Sequence, residues 1–240
     1  MFPRFTLCFF LLLFKAIPLS AQGLSFDLSA VPDSLFRAQV KPLMSAVSLK
    51  IGHHPFYDRA GRSRFRWGVS LGWGQNYGNR TLTGKTIPGF PLLHGAILVS
   101  NNMFLTGSLS GFISGEDLVH LTSYGLDLFI TESEAQEWSA CVVLGRLEGP
   151  RHLDSRTIDF LLRRNQGTRR YPYQYGVGIS NYTTRITMPH DPPVPDRIKS
   201  SVPYYFTSVI VPVRRFNIGL QVKVASQLLN LSVDLIRGVR

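Results

Sequence analysis

Residues 65–78, FRWGVSLGWGQNYG, are large and apolar at every second position. Phe65, Trp67, Val69, Leu71 and Trp73 alternate with Arg66, Gly68, Ser70, Gly72 and Gly74. A strand sends successive side chains to opposite faces, so this stretch predicts one bulky apolar face and one small or polar face. The pattern recurs. AVSLKIG sets Val47, Leu49 and Ile51 against Ser48 and Lys50. FLTGSLSGFIS sets Leu105, Leu109 and Ile113 against Thr106, Ser108 and Ser110. YGLDLFIT, FNIGLQVKVA and LLNLSVDLI repeat it, with Asp127, Asn217, Gln221, Lys223, Asn230 and Asp234 on their polar faces. Weaker candidate strands lie at 24–31, 95–100, 138–148, 175–188 and 204–213. DSRTIDFLLRR at 154–164 reads as a short helix or one more strand.

These elements predict an all-β chain of antiparallel neighbours. Short connections such as 114–117, 132–137, 214–215 and 226–227 mix with long Gly-, Pro- and charge-rich ones at 52–64, 76–91, from 149 onward, and at 189–201. Short turns at one end and long loops at the other characterise up-and-down barrels of the outer membrane.

The start of the chain adds a compartment. MFPRF carries Arg4, TLCFFLLLF is an apolar core too short to span a bilayer, and KAIPLSA offers Ala21 as a cleavage residue. The expectation is a cleaved signal peptide at 1–21 and a single domain at 22–240. Cleavage removes Arg4 and Lys15 and lowers the formal charge from +11 to +9. For an exported chain that excess points to anionic lipid rather than nucleic acid. Cys141 alone remains, so no intramolecular disulfide can hold the domain.

The orientation of the strands follows from what lies opposite the large residues. The polar faces are mostly Gly, Ser, Asn and Thr with sparse charge, the residues a narrow barrel interior admits. Trp67, Trp73, Trp138, Tyr204 and Tyr205 sit near strand ends, where aromatic girdles mark membrane interfaces. The large residues are therefore expected to face lipid. Over about residues 44–240 this pattern resembles the bacterial outer-membrane β-barrel proteins as a class. The resemblance implies a transmembrane barrel of about ten strands (8–12), in the outer membrane of a Gram-negative-type bacterium. It also implies lipid partners, lipopolysaccharide among them, and handling by export and barrel-assembly machinery. The chain departs from that class at its end, where Arg240 replaces the usual terminal aromatic.

Lys50, Asp127, Asn217, Gln221, Lys223, Asn230 and Asp234 are then expected to face the lumen. Lys50 and Lys223 could pair with Asp127 and Asp234 across strands and plug it. A small barrel of this kind suits a non-enzymatic role: structural, narrow-channel and porin-like, or lipid-surface-binding. Two alternatives carry different residues. His120 and Thr122 share a strand face and Glu134 follows. Imidazole, hydroxyl and carboxylate are the parts of a hydrolase, and the grouping resembles the lipid A deacylases, with threonine where that family has serine. A soluble periplasmic barrel binding an apolar ligand would instead turn Leu220, Val222 and Leu231 inward. No cofactor is expected. His53 and His54 with Asp58 invite a metal, but adjacent histidines on an extended chain point opposite ways and no third ligand lies at useful spacing. The basic stretches 61–66 and 163–173 are candidates for holding lipopolysaccharide phosphates.

Overall fold

In a computed structural model, the structure describes residues 36–55, 64–76, 87–114, 117–130, 137–150, 152–168, 171–187, 196–213 and 216–239. The expected signal peptide, the candidate strand at 24–31, Asp58 and Glu134 lie outside them. Among the described residues one helix precedes ten strands: α1 (Phe36–Ile51), β1 (Phe65–Asn76), β2 (Ile87–Ser100), β3 (Met103–Ser114), β4 (Asp117–Phe129), β5 (Glu137–Glu148), β6 (Leu153–Thr168), β7 (Tyr171–Ile186), β8 (Arg197–Val213), β9 (Phe216–Ala225) and β10 (Leu228–Val239). Every strand pairs antiparallel with its sequence neighbour. β1 closes on β10 in the register Val69↔Leu235, giving an up-and-down closed barrel. Closure leaves no open sheet edge, which is what a sheet in hydrocarbon requires.

The large side chains face outward. Along β1, Phe65 and Val69 are exposed while Arg66, Gly68 and Ser70 are buried. Leu109 on β3 is 56% exposed and Leu126 on β4 is 44% exposed, whereas Asp127 beside it is 2% exposed. Leu220 and Leu231 face out as well, which overturns the alternative that turns them toward an internal ligand. An exterior this apolar on every strand is matched to lipid, since soluble monomers rarely expose contiguous apolar patches of this extent.

One expectation needs correction. Residues 47–51 are not a strand but the last turn and a half of α1, and this helix occupies the barrel lumen. Val40, Met44, Val47 and Ile51 recur at helical spacing, yet Ser48, Leu49 and Lys50 are equally buried. A helix enclosed by a barrel needs no apolar stripe, so its helical period is masked and a local alternation imitates a strand. The choice left open at 154–164, helix or strand, resolves to strand: it forms the body of β6.

The ends of the barrel can be told apart. β1 starts and β10 finishes at one end, here the lower. The connections closed by 101–102, 169–170 and 214–215 also lie there, while the longer β1–β2 and β7–β8 connections lie at the upper end. α1 descends from the upper end. Its Lys41 carbonyl accepts from the Tyr182 hydroxyl at 3.0 Å, near the upper end of β7, and Ser45 Oγ lies 3.1 Å from the same hydroxyl. Two glycines let the plug approach the wall. A Cβ at Gly145 would lie 2.1 Å from Ile51 Cγ2, and one at Gly52 would lie 2.3 Å from Asp159 Oδ2.

Candidate functional site

The candidate site is the plugged lumen. Helix C-termini carry a partial negative charge on their last carbonyls. Here the wall supplies the cation that answers it. Lys223 of β9 donates from Nζ to the Leu49 carbonyl at 3.1 Å and to the Gly52 carbonyl. Lys50, on the helix itself, donates to the Gly72 carbonyl of β1. The chain then passes through His53, His54 and Pro55, and the two imidazoles reach opposite walls.

His54 goes to β6. Its Nε2 lies 2.7 Å from Asp159 Oδ1, the same oxygen that accepts from the Tyr204 hydroxyl at 2.6 Å. Lys223 Nζ stands 4.0 Å from Asp159 Oδ2 and 4.6 Å above the Tyr204 ring. Gln221 donates to the His54 carbonyl at 2.7 Å. Below this node a second network lines the wall. Arg163 donates to Asp127, to Ser139 Oγ at 2.9 Å and to Gln174 Oε1 at 3.3 Å. The Cys141 thiol donates to Asp127 Oδ1 at 3.1 Å. Gln174 continues to Asn165 and Asn165 to Glu137, at 2.6 and 3.1 Å.

His53 goes the other way, to β10 and β2. Its Nε2 lies 3.0 Å from Asp234 Oδ1, but out of hydrogen-bond alignment, and neither oxygen of Asp234 accepts a hydrogen bond from the described residues. The His94 ring of β2 is 5.7 Å from the His53 ring between centroids. The ligand atoms of His53, His94 and Asp234 all lie within 4.8 Å of one another.

Of the expected lumen residues, Lys50 belongs to the plug itself and the others line the wall around it. Lys50, Asp127, Gln221, Lys223, Asn230 and Asp234 are buried, and Asn217 is half-buried on the same face of β9 as Gln221. Their pairing differs from expectation. Asp127 binds Arg163 rather than a lysine, and Lys223 serves the helix terminus and Asp159. Of the girdle residues, Trp138 and Tyr205 are exposed on the outer face and Trp67 is half-buried there. The side chain of Trp73 lies outside the described residues. Tyr204 belongs to the lumen, because its neighbour Tyr205 faces out and adjacent strand residues cannot share a face.

Arg66 and Arg163, expected in external basic loops, are also buried inside the barrel. Sequence reading missed Asp159 and Arg163. Both lie on the polar face of β6 with Ser155 and Thr157, a period-2 set that the undecided helix-or-strand reading concealed. His120 and Thr122 point outward together, while Ser123 is buried and meets Ser108.

The buried charged residues described are four acids and four bases: Asp127, Glu137, Asp159 and Asp234 against Lys50, Arg66, Arg163 and Lys223. Among the described residues the buried charges of the two signs are equal in number.

No family model matches the chain, and no curated protein matches it. Solved structures similar to it are barrels. The translocator domain of the autotransporter NalP from Neisseria meningitidis is 9% identical, with 86% of this chain and 96% of that chain covered, at a TM-score of 0.46. KdgM porin in complex with disordered oligogalacturonate is 9% identical, with 73% and 99% covered, at 0.41. Ail, the attachment invasion locus protein of Yersinia pestis, is 10% identical, with 73% and 95% covered, at 0.26. Likenesses at this level concern the barrel form and name no substrate for this chain.

Proposed function

We propose that this chain is a non-enzymatic, porin-like barrel of the outer membrane whose narrow lumen is held shut by its own N-terminal helix. The observation that carries the reading is the seat of α1: its terminal carbonyls are capped by Lys223 from the wall while Ile51 and Gly52 rest on Gly145 and Asp159. The seat is mixed: Val40, Met44, Val47 and Ile51 share one apolar cluster with wall residues such as Leu121 and Leu147, while hydrogen-bonded polar groups hold the helix terminus. The polar contacts can be exchanged for water at lower cost than the apolar ones. By the usual rule for such barrels, the lower end with its short turns faces the periplasm and the upper end faces outside.

The test is conductance in planar lipid bilayers. Gly145→Leu places a side chain where Ile51 sits and should unseat the helix. The wild-type protein is expected to be closed or to open rarely, and the variant to show sustained openings. A variant that stays folded by its heat-dependent gel shift, yet is as silent as the wild type, would leave the barrel a scaffold.

A lipid-surface role has its own support. Arg146, Arg156, Arg185, Arg197 and Lys199 form an outward-facing basic band across β5–β8 at the upper end, with Arg146 held by Glu148 at 2.6 Å and Asp154 at 2.8 Å. Guanidinium groups there suit lipopolysaccharide phosphates. Arg156→Ala with Arg185→Ala should lower the lipopolysaccharide that purifies with the protein, and unchanged retention would count against this role.

A further inference from the structure

The plug carries two histidines, and only one of them has a completed hydrogen-bonding environment. His54 is tied into the Asp159 node. His53 instead enters a pocket with His94 and Asp234, all three buried, in which the Asp234 carboxylate accepts no hydrogen bond from the described residues. A buried carboxylate without a donor is costly, and in native proteins such a group calls for an ion or another occupant.

We infer that His53, His94 and Asp234 form a binding site for one divalent transition-metal ion of the zinc class, which latches the plug segment to the β2–β1–β10 wall. The chemistry of the donors fits. Two imidazoles and a carboxylate, with no thiolate, suit zinc and its first-row neighbours, and three protein ligands leave a position for water. The geometry is close to assembled. Zinc ligands at 2.0–2.1 Å in a tetrahedron lie about 3.4 Å apart, so atoms already within 4.8 Å need to contract by about 1 Å or a little more.

The wall is also shaped for the site. His94 and Asp234 reach it from either side of β1, where the register places Gly68 opposite His94 and Ser70 opposite Asp234. A Cβ at Gly68 would lie 2.6 Å from His94 Cε1 and 2.9 Å from its Nε2. The missing side chain at Gly68 is what gives the imidazole its place. The site joins three segments distant in sequence, so no local motif announces it.

The inference stands on the lumen geometry, and its test does not depend on whether the barrel conducts. Untagged full-length protein, folded in detergent and stripped with chelator, would be titrated with zinc by calorimetry and with cobalt(II) by visible absorption. One ion per chain is expected. His94→Gln and Asp234→Asn should each weaken binding by about a hundredfold or more, and His120→Gln, on the outer face, should leave it unchanged. Absence of stoichiometric uptake by the wild-type protein would overturn the inference, as would uptake that survives both lumen substitutions. If the variants fail to fold, zinc-edge X-ray absorption of the loaded wild type decides. Two imidazoles in the shell support the site, and a shell without imidazole, or with sulfur from Cys141, refutes it.

Discussion

Asp159 and Asp234 hold the two sides of the same plug, and the contrast between them separates structure from capacity. Asp159 is the tied side: His54 and Tyr204 converge on one oxygen, while the other accepts no hydrogen bond from the described residues and has Lys223 Nζ at 4.0 Å. Asp234 is buried to nearly the same degree, yet it accepts no hydrogen bond from the described residues and has the unaligned His53 imidazole at 3.0 Å. Neighbouring histidines thus meet one carboxylate held by two hydrogen bonds on a single oxygen and one that accepts none from the described residues. The first arrangement fixes the plug. The second leaves room for something to be bound.

The strongest way to break this comparison is to remove the Asp159 node. Asp159→Ala would leave Lys223 and His54 buried without their partner, and breaking a buried pair in this way costs about 3–5 kcal/mol. Urea unfolding of the detergent-folded protein should show a loss of that size. A loss under about 1 kcal/mol would mean that Asp159 does not anchor the plug.

A smaller effect is expected from Lys223→Met, which keeps the apolar stem but removes two charged hydrogen bonds to the helix terminus. At about 1.5–3 kcal/mol for a charged hydrogen bond, less the gain from no longer burying an ammonium, a net loss of about 2 kcal/mol is expected in the same assay. Protease digestion should also begin to cut within 36–55 in this variant, and resistance equal to the wild type would argue that the helix does not need its cap.

The smallest effect sharpens the comparison most. In chelator-treated protein, Asp234→Asn removes a buried charge that lacks a hydrogen-bond donor, and stability should change by less than about 1 kcal/mol in either direction. With zinc at a hundredfold over its dissociation constant, the wild type alone should gain about 2.7 kcal/mol. Equal stability of the two proteins with and without zinc would remove the distinction between the two carboxylates.

Much of the barrel was legible in the chain, for a physical reason. Strand alternation is a local signal, so Val69, Leu109, Leu126 and Leu220 announce an outer face and Asp127, Gln221, Lys223 and Asp234 an inner one without knowledge of the fold. The plug was not legible. Residues 43–51 are buried all round by a barrel built from later sequence, and Val47, Leu49 and Ile51 fit either period. Tyr204 shows the same limit at one residue: Tyr204 and Tyr205 differ only in register, which decides that one hydrogen-bonds Asp159 and the other meets lipid. The His53, His94 and Asp234 grouping arises from closure of β1 between β2 and β10, an event no spacing in the sequence encodes.

The claim on which the rest depends is that α1 occupies the lumen of the folded barrel. A cysteine pair at Ile51 and Gly145, in a Cys141→Ser background, tests it directly, because Ile51 lies against the Cβ position of Gly145. Mild oxidation of the membrane-inserted protein should close an intramolecular disulfide, read as a peptide cross-link by mass spectrometry. Two free thiols that react with a water-soluble reagent, in protein that still shows the folded gel mobility, would place the helix outside the barrel and contradict the account.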